Sequence, residues 1–167
     1  MPILEPTEEN IQHCADILKH GGLVGMPTET VYGLAGDATN AESCTKIFAT
    51  KQRPPTDPLI VHISSLDQME QICTIRPHQK QIFDVLKQLW PGPMTMVFEK
   101  RECIPLICTA NQSTVGIRYP SHKVAHRLIE LSGPIAAPSA NLFGHISPVK
   151  AQHVQDDFPE LVVLNGD

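Results

Sequence analysis

The sequence predicts one α/β domain built on a mixed β-sheet. Three observations carry that reading. Helix-period and strand-period apolar segments alternate along the 167 residues. No strict strand–helix–strand repeat runs through them, so a purely parallel sheet is not expected. The 15 prolines fall mostly at the joints between segments, with no repeat, low-complexity run or linker.

Taken in order, Thr7 can cap a helix carrying Ile11, Cys14, Ala15 and Leu18, closed by Gly21-Gly22. A strand follows at Leu23 to Met26. Asn40 can cap a second helix with Cys44, Ile47 and Phe48 on one face. Residues 58–63 (PLIVHI) read as a buried strand, and Ser65 with Gln68 as a capping box for a short helix. Pro77 suits a helix start, with Ile82, Val85, Leu86 and Leu89 as a core-facing stripe stopped by Pro91-Gly92-Pro93. Strands are expected at Met94 to Glu99 and Thr114 to Arg118. Ser121 caps a helix bearing Val124, Ala125, Leu128 and Leu131. A strand at Pro134 to Ala137, a helix opened by Ser147-Pro148 and a strand at Leu161 to Leu164 complete the order.

Composition excludes several classes. With 41% apolar and 19% charged residues the chain is an ordinary globule. No apolar run approaches the ~18 residues a membrane helix needs, and the N-terminus lacks secretory character, so a cytoplasmic setting is expected. Five cysteines without a C-x-x-C pair argue for idle thiols over a disulfide framework or zinc site. The net charge of −5 counts against a broad nucleic-acid surface but allows one local basic pocket.

Four clusters carry chemistry. Residues 23–38 (LVGMPTETVYGLAGDA) break from a strand at Pro27 into Thr28, Glu29, Thr30 and Tyr32, with Gly33 and Gly36 behind them. Small polar groups at the end of a rigid strand suit a small, doubly polar ligand. Lys51-Gln52-Arg53-Pro54-Pro55-Thr56-Asp57 is a stiff basic corner. There Arg53 can grip phosphate with its fork while Lys51 acts as a mobile point charge; a solvated surface pair is the alternative. Arg118 ends the β-branched Thr114–Arg118 run, as a surface residue or aimed at a carboxylate or phosphate. Ser139 and Asn141, followed by Gly144, suit ligand hydrogen bonds or a plain turn.

Other candidates have structural readings. His122 and His126 lie i,i+4 without an acidic companion or third ligand, and are read as surface or half-buried histidines in preference to a metal pair. His62 is a core histidine or a site residue in equal measure. Glu29 suits a salt bridge or turn contact near the basic corner better than a general base. Tyr32 reads as a packed ring with a bonded hydroxyl, and Trp90 as an anchor at the core rim.

Together the motifs PTETVYGL, K-x-R followed by PLIVHI, WPGPMT, VGIRYP and PSAN with a following glycine resemble the YrdC-type threonylcarbamoyl-AMP synthases. These enzymes make the activated intermediate for threonylcarbamoyladenosine in tRNA. The resemblance covers residues 21–167. It implies a strongly twisted mixed sheet with a concave basic cavity. It also implies that Thr30, His62, Arg118 and Ser139 hold L-threonine, with Arg118 on the carboxylate. Lys51, Arg53, Asp57, Thr114, Ser139, Asn141 and Ser147 would hold ATP. Bicarbonate is the third substrate, Mg²⁺ comes in on the ATP phosphates with no protein metal ligand, and a tRNA threonylcarbamoyl-transferase machinery, or tRNA itself, lies downstream. Family members continue past the last strand into a Ser/Thr-bearing strand that closes the site, so the resemblance implies closing contacts from beyond Asp167 or from elsewhere. Two other readings stand beside it: a YrdC-like carbamoyltransferase domain acting on carbamoyl-adenylate, and a non-catalytic double-stranded-RNA-binding module.

Overall fold

The structure is a computed structural model and describes residues 2–167. Its strands are β1 (Ile3–Leu4), β2 (Val24–Met26), β3 (Gly33–Asp37), β4 (Ile60–His62), β5 (Cys73–Thr74), β6 (Thr95–Lys100), β7 (Thr114–Arg118), β8 (Ile135–Ala136) and β9 (Val162–Leu164). They form one sheet in the order β1-β9-β2-β3-β8-β4-β7-β6-β5. The sheet is mixed, as expected. β1 and β2 flank β9 in parallel and β4 runs parallel to β7, while the other neighbours are antiparallel.

The helices are α1 (Glu8–Lys19), α2 (Ala41–Lys51), α3 (Leu66–Ile72), α4 (Pro77–Leu86), α5 (Lys123–Ser132) and α6 (Ala151–Asp157). Thr7, Asn40 and Ser65 cap α1, α2 and α3 with side-chain oxygens, as their positions predict. α1 and α5 bury Ile11, Leu18, Leu128 and Ile129 against Val24, Met26 and Ile135. A larger core holds Leu34, Ile47, Val61, Met69, Phe98 and Ile117.

Strand alternation decides where the site lies. On β4, β6 and β7, Val61, Met96, Phe98, Val115 and Ile117 point into the larger core. Their neighbours Ile60, His62, Thr95, Val97, Gly116 and Arg118 share the opposite face, paired across the strands. Much of that face is open, with Ile60, Thr95 and Val97 exposed.

Five expectations are corrected. Residues 33–37, whose glycines suggest open backbone, form β3, which folds back on β2. Gly36 packs closely there: a Cβ would sit 2.9 Å from both Ile47 Cδ1 and Leu23 Cδ2, so those side-chain ends would have to shift. The short strands β1 and β5 carry too few residues to show a period. The α4 stripe is not core: Ile82, Val85 and Leu89 are over 60% exposed, Leu86 is half-buried, and Phe83 is the buried residue. His122, not Ser121, caps α5, because the Ser121 hydroxyl is taken by Glu29. The last helix starts at Ala151, and Ser147-Pro148 lies in the preceding loop, where Pro148 O accepts from Tyr32 N at 2.8 Å.

Candidate active site

The loop between β2 and β3 is folded by its own hydroxyls. Thr28 Oγ1 donates to Val31 O at 2.5 Å and accepts from Thr30 N at 3.3 Å. Ala140 N donates to Tyr32 O at 2.8 Å, tying this loop to the one after β8. Tyr32 is buried, as expected; its hydroxyl donates to Asp167 Oδ1 at 2.6 Å and accepts from Gly166 N at 2.8 Å. Burial and the Asp167 carboxylate push its pKa up, so it is not an acid or base here.

Where these loops meet the open face of the sheet lies a cavity of about 250 Å³. Arg53, His62, Arg118 and Ser139 line it, with Thr28, Ile60 and Thr95. Arg118 extends from the end of β7. Its Nη2 pairs with Glu29 Oε1 and donates to Thr30 Oγ1 at 3.1 Å. The other Glu29 oxygen accepts from the Ser121 amide and, at 2.6 Å, from its hydroxyl. Burial alone would raise the Glu29 pKa; the Ser121 hydrogen bonds and the Arg118 charge outweigh it and hold it below normal. Glu29 therefore makes the expected salt bridge, but with Arg118 and not with the Lys51/Arg53 corner.

His62 is 3% exposed, and its Nδ1 lies 3.1 Å from Ile60 O. Burial, then the Arg118 charge, depress its pKa to about 4, so at neutral pH it is an uncharged imidazole. Arg53 Nη2 donates to Pro58 O at 3.0 Å. Among the described residues, two buried side-chain nitrogens have no hydrogen-bond partner: Nε of Arg53 and Nε of Arg118. A buried N–H left unpaired costs about 1–3 kcal/mol; Asp57 Oδ2, 3.9 Å from Arg53 Nε, offsets part of that cost as an ion pair without a hydrogen bond.

Other expected site residues sit elsewhere. Lys51 is not a mobile point charge: it is 2% exposed and lies behind the 139–141 loop. Burial, then repulsion from Arg53, lower its pKa to about 8. The Asn141 amide is spent inside its own loop, donating to His145 O at 2.7 Å and Leu142 O at 3.1 Å. Asp57 pairs with Arg53 at 3.9 Å but does not line the cavity. Thr114 begins β7, four residues and roughly 13 Å of strand from Arg118. Ser147 lines a neighbouring pocket with His145, His153 and Asp156.

Thr28, already singled out with the strand-end hydroxyls, lines the cavity, and Thr95, Ser121 and Asp167 are further contributors that the motifs did not single out as ligand or positioning groups. Thr95 has a signal in its strand alternation with Met96 and Phe98, which puts it on the face opposite the core, where it pairs in register with Arg118; the pairing of Tyr32 with Asp167 has none in sequence. His122 and His126 do structural work: Nδ1 of His122 accepts from Val124 N at 3.2 Å, and His126 stacks on Tyr119. Among the described residues no three His, Cys, Asp or Glu side chains are grouped to hold a metal ion.

The fold and site are those of an α/β protein with a twisted mixed sheet, whose open face carries a cavity lined by two arginines, hydroxyls and a buried histidine. Comparison with known proteins gives the family. Residues 16–167 match the Sua5/YciO/YrdC family model, described as "Telomere recombination", and the chain belongs to that family. It is 44% identical over 152 residues to a threonylcarbamoyl-AMP synthase of Pyrococcus abyssi, covering 90% of this chain and 44% of that protein. The Bacillus subtilis threonylcarbamoyl-AMP synthase is 42% identical over 156 residues, covering 92% of this chain and 44% of that protein. The P. abyssi Sua5 crystal structure complexed with L-threonine superposes with a TM-score of 0.92 at 39% identity, covering 99% of this chain and 50% of that one. The chain thus spans under half the length of these two relatives.

Proposed function

We infer that this chain carries the catalytic site of an L-threonylcarbamoyladenylate synthase, converting L-threonine, bicarbonate and ATP to threonylcarbamoyl-AMP, pyrophosphate and water. The observation that carries the reading is that Arg53 and Arg118 line one cavity, each with a buried Nε that has no hydrogen-bond partner. A substrate carboxylate and a triphosphate are the two anions the reaction must hold together. The names of the relatives and the threonine-bound Sua5 structure support the assignment.

The chemistry asks little of the side chains. The threonine amine and bicarbonate form a carbamate with loss of water. A carbamate oxygen then attacks the α-phosphorus, and the bond to the β-phosphate oxygen breaks to release pyrophosphate. The attacker is already an anion, so alignment and charge neutralisation suffice. Arg118, with Thr30 beside it, holds the threonine carboxylate; His62, uncharged, packs the pocket without adding a competing cation. Arg53 meets the phosphates, with Ser139 as a hydroxyl partner. Mg²⁺ enters as MgATP, ligated by phosphate oxygens and water. The product passes to a tRNA-modifying transferase. Among the described residues no helix is long and apolar enough to cross a membrane. The cytoplasmic setting is proposed on the tRNA-modification reading alone.

The test is pyrophosphate release from MgATP and bicarbonate with threonine, with serine and with no amino acid. Release should depend on threonine and bicarbonate together. Release indifferent to threonine sinks the proposal.

A further inference from the structure

We propose that Lys51 is a positioning residue: its buried ammonium staples the Ser139–Phe143 loop into shape and does not itself contact the ligand. The inference rests on the nucleotide reading above only for its effect on affinity; the staple stands on geometry alone. Lys51 is the last residue of α2 and 2% exposed. Its Nζ donates to the carbonyls of Ser139 at 2.5 Å and Asn141 at 2.8 Å, and lies 3.4 Å and 3.3 Å from Ser139 Oγ and Asn141 Oδ1. An ammonium has three protons to give, and those four oxygens use them all. Its own carbonyl accepts from Phe143 N at 2.8 Å, so one residue grips the loop at 139, 141 and 143.

The opposite side of the loop is held by α6, where Asp157 Oδ2 accepts from Leu142 N at 2.9 Å. The loop is therefore clamped between the C-terminal end of α2 and the last turn of α6. Ser139 is the loop residue that reaches the cavity; it also bridges Gly33 at the start of β3. Arg53, two residues on, lines the same cavity while Lys51 does not. The two cations of the K-x-R motif thus divide the work: Lys51 faces inward to the loop and Arg53 outward to the ligand.

Two measurements decide it. In the ligand-free wild-type chain, amine acetylation read by mass spectrometry should leave Lys51 unmodified while exposed Lys80 reacts. A Lys51 that reacts freely without nucleotide and is protected by MgATP is a phosphate ligand, and the proposal falls. Second, Lys51→Met and Arg53→Met are compared by amide hydrogen exchange and MgATP titration. Lys51→Met should speed exchange across residues 139–143 and weaken MgATP about tenfold or more. Arg53→Met should weaken MgATP with loop exchange unchanged. Loss of affinity in Lys51→Met without faster loop exchange overturns the staple. If neither variant changes MgATP affinity, the nucleotide reading fails while the exchange result still judges the staple. Should Lys51→Met not fold, the wild-type acetylation pattern decides.

Discussion

His62 and Glu29 sit on either side of Arg118 and respond to acid in different windows. The folded pKa of His62 is about 4 against an ordinary 6.5, so between those values the unfolded chain binds a proton the folded one refuses. Its contribution is complete above pH 6.5 and is lost as pH falls toward 4, on the order of 3 kcal/mol. Glu29 has a lowered folded pKa, so its contribution is present above about pH 4.5 and is lost as pH falls through that lowered value. Melting temperature measured from pH 7 to pH 4 should decline, and His62→Gln should flatten the decline between pH 6.5 and 4.5. An unchanged slope in that variant assigns the acid sensitivity to another group. The residue types of this site were legible in sequence, because an arginine ending a strand and a hydroxyl-rich strand exit are local features. What Arg118 pairs with was not, since Glu29, held by Ser121, reaches it only from the β2–β3 loop.

At the scale of elements, α4 shows where periodicity misleads. Ile82, Val85, Leu86 and Leu89 fall at helical spacing, yet the helix turns Phe83 inward and leaves Ile82 and Val85 over 60% exposed. Phe83 meets Phe98 and Trp90 edge-on, with centroids 5.7 Å and 6.4 Å away, and the aromatic cluster sets the helix rotation in place of the aliphatic stripe. Urea denaturation should show Phe83→Ala losing about 3–5 kcal/mol, whereas Ile82→Gln and Val85→Gln should stay within about 0.5 kcal/mol. Equal losses would mean that the stripe is packed after all. The strand β3 was missed for a related reason. Its sequence, GLAGD, has two glycines and no β-branched residue, so intrinsic strand preference is weak. Pairing with β2 and β8 imposes the extended form.

For the whole molecule, the stretch after β9 returns to the loop that borders the site. β9 lies between β1 and β2, which brings Gly166 and Asp167 against the β2–β3 loop. A Cβ on Gly166 would lie 2.3 Å from Pro27 Cβ and 3.0 Å from His122 Nε2, so only glycine fits that approach. Asp167 also accepts from Ala151 N at 3.1 Å, joining the start of α6 to Tyr32. Gly166→Ala should cost about 1–3 kcal/mol and raise the threonine requirement for pyrophosphate release, because it displaces the loop that carries Thr28 and Thr30. A destabilised variant with an unaltered threonine requirement would separate this contact from the site. By itself the sequence determined the type of every element but β1, β3 and β5, the helix caps at Thr7, Asn40 and Ser65, and the motif set, since each depends on neighbours within a few residues; the mixed sheet followed from the lack of a strand–helix–strand repeat. Only the tertiary structure decided which motif residues share a cavity, because that depends on strand order and pairing. It sent Arg53, His62, Arg118 and Ser139 to the open face, and turned Lys51 inward, where two loop residues, Ser139 and Asn141, could satisfy a buried charge.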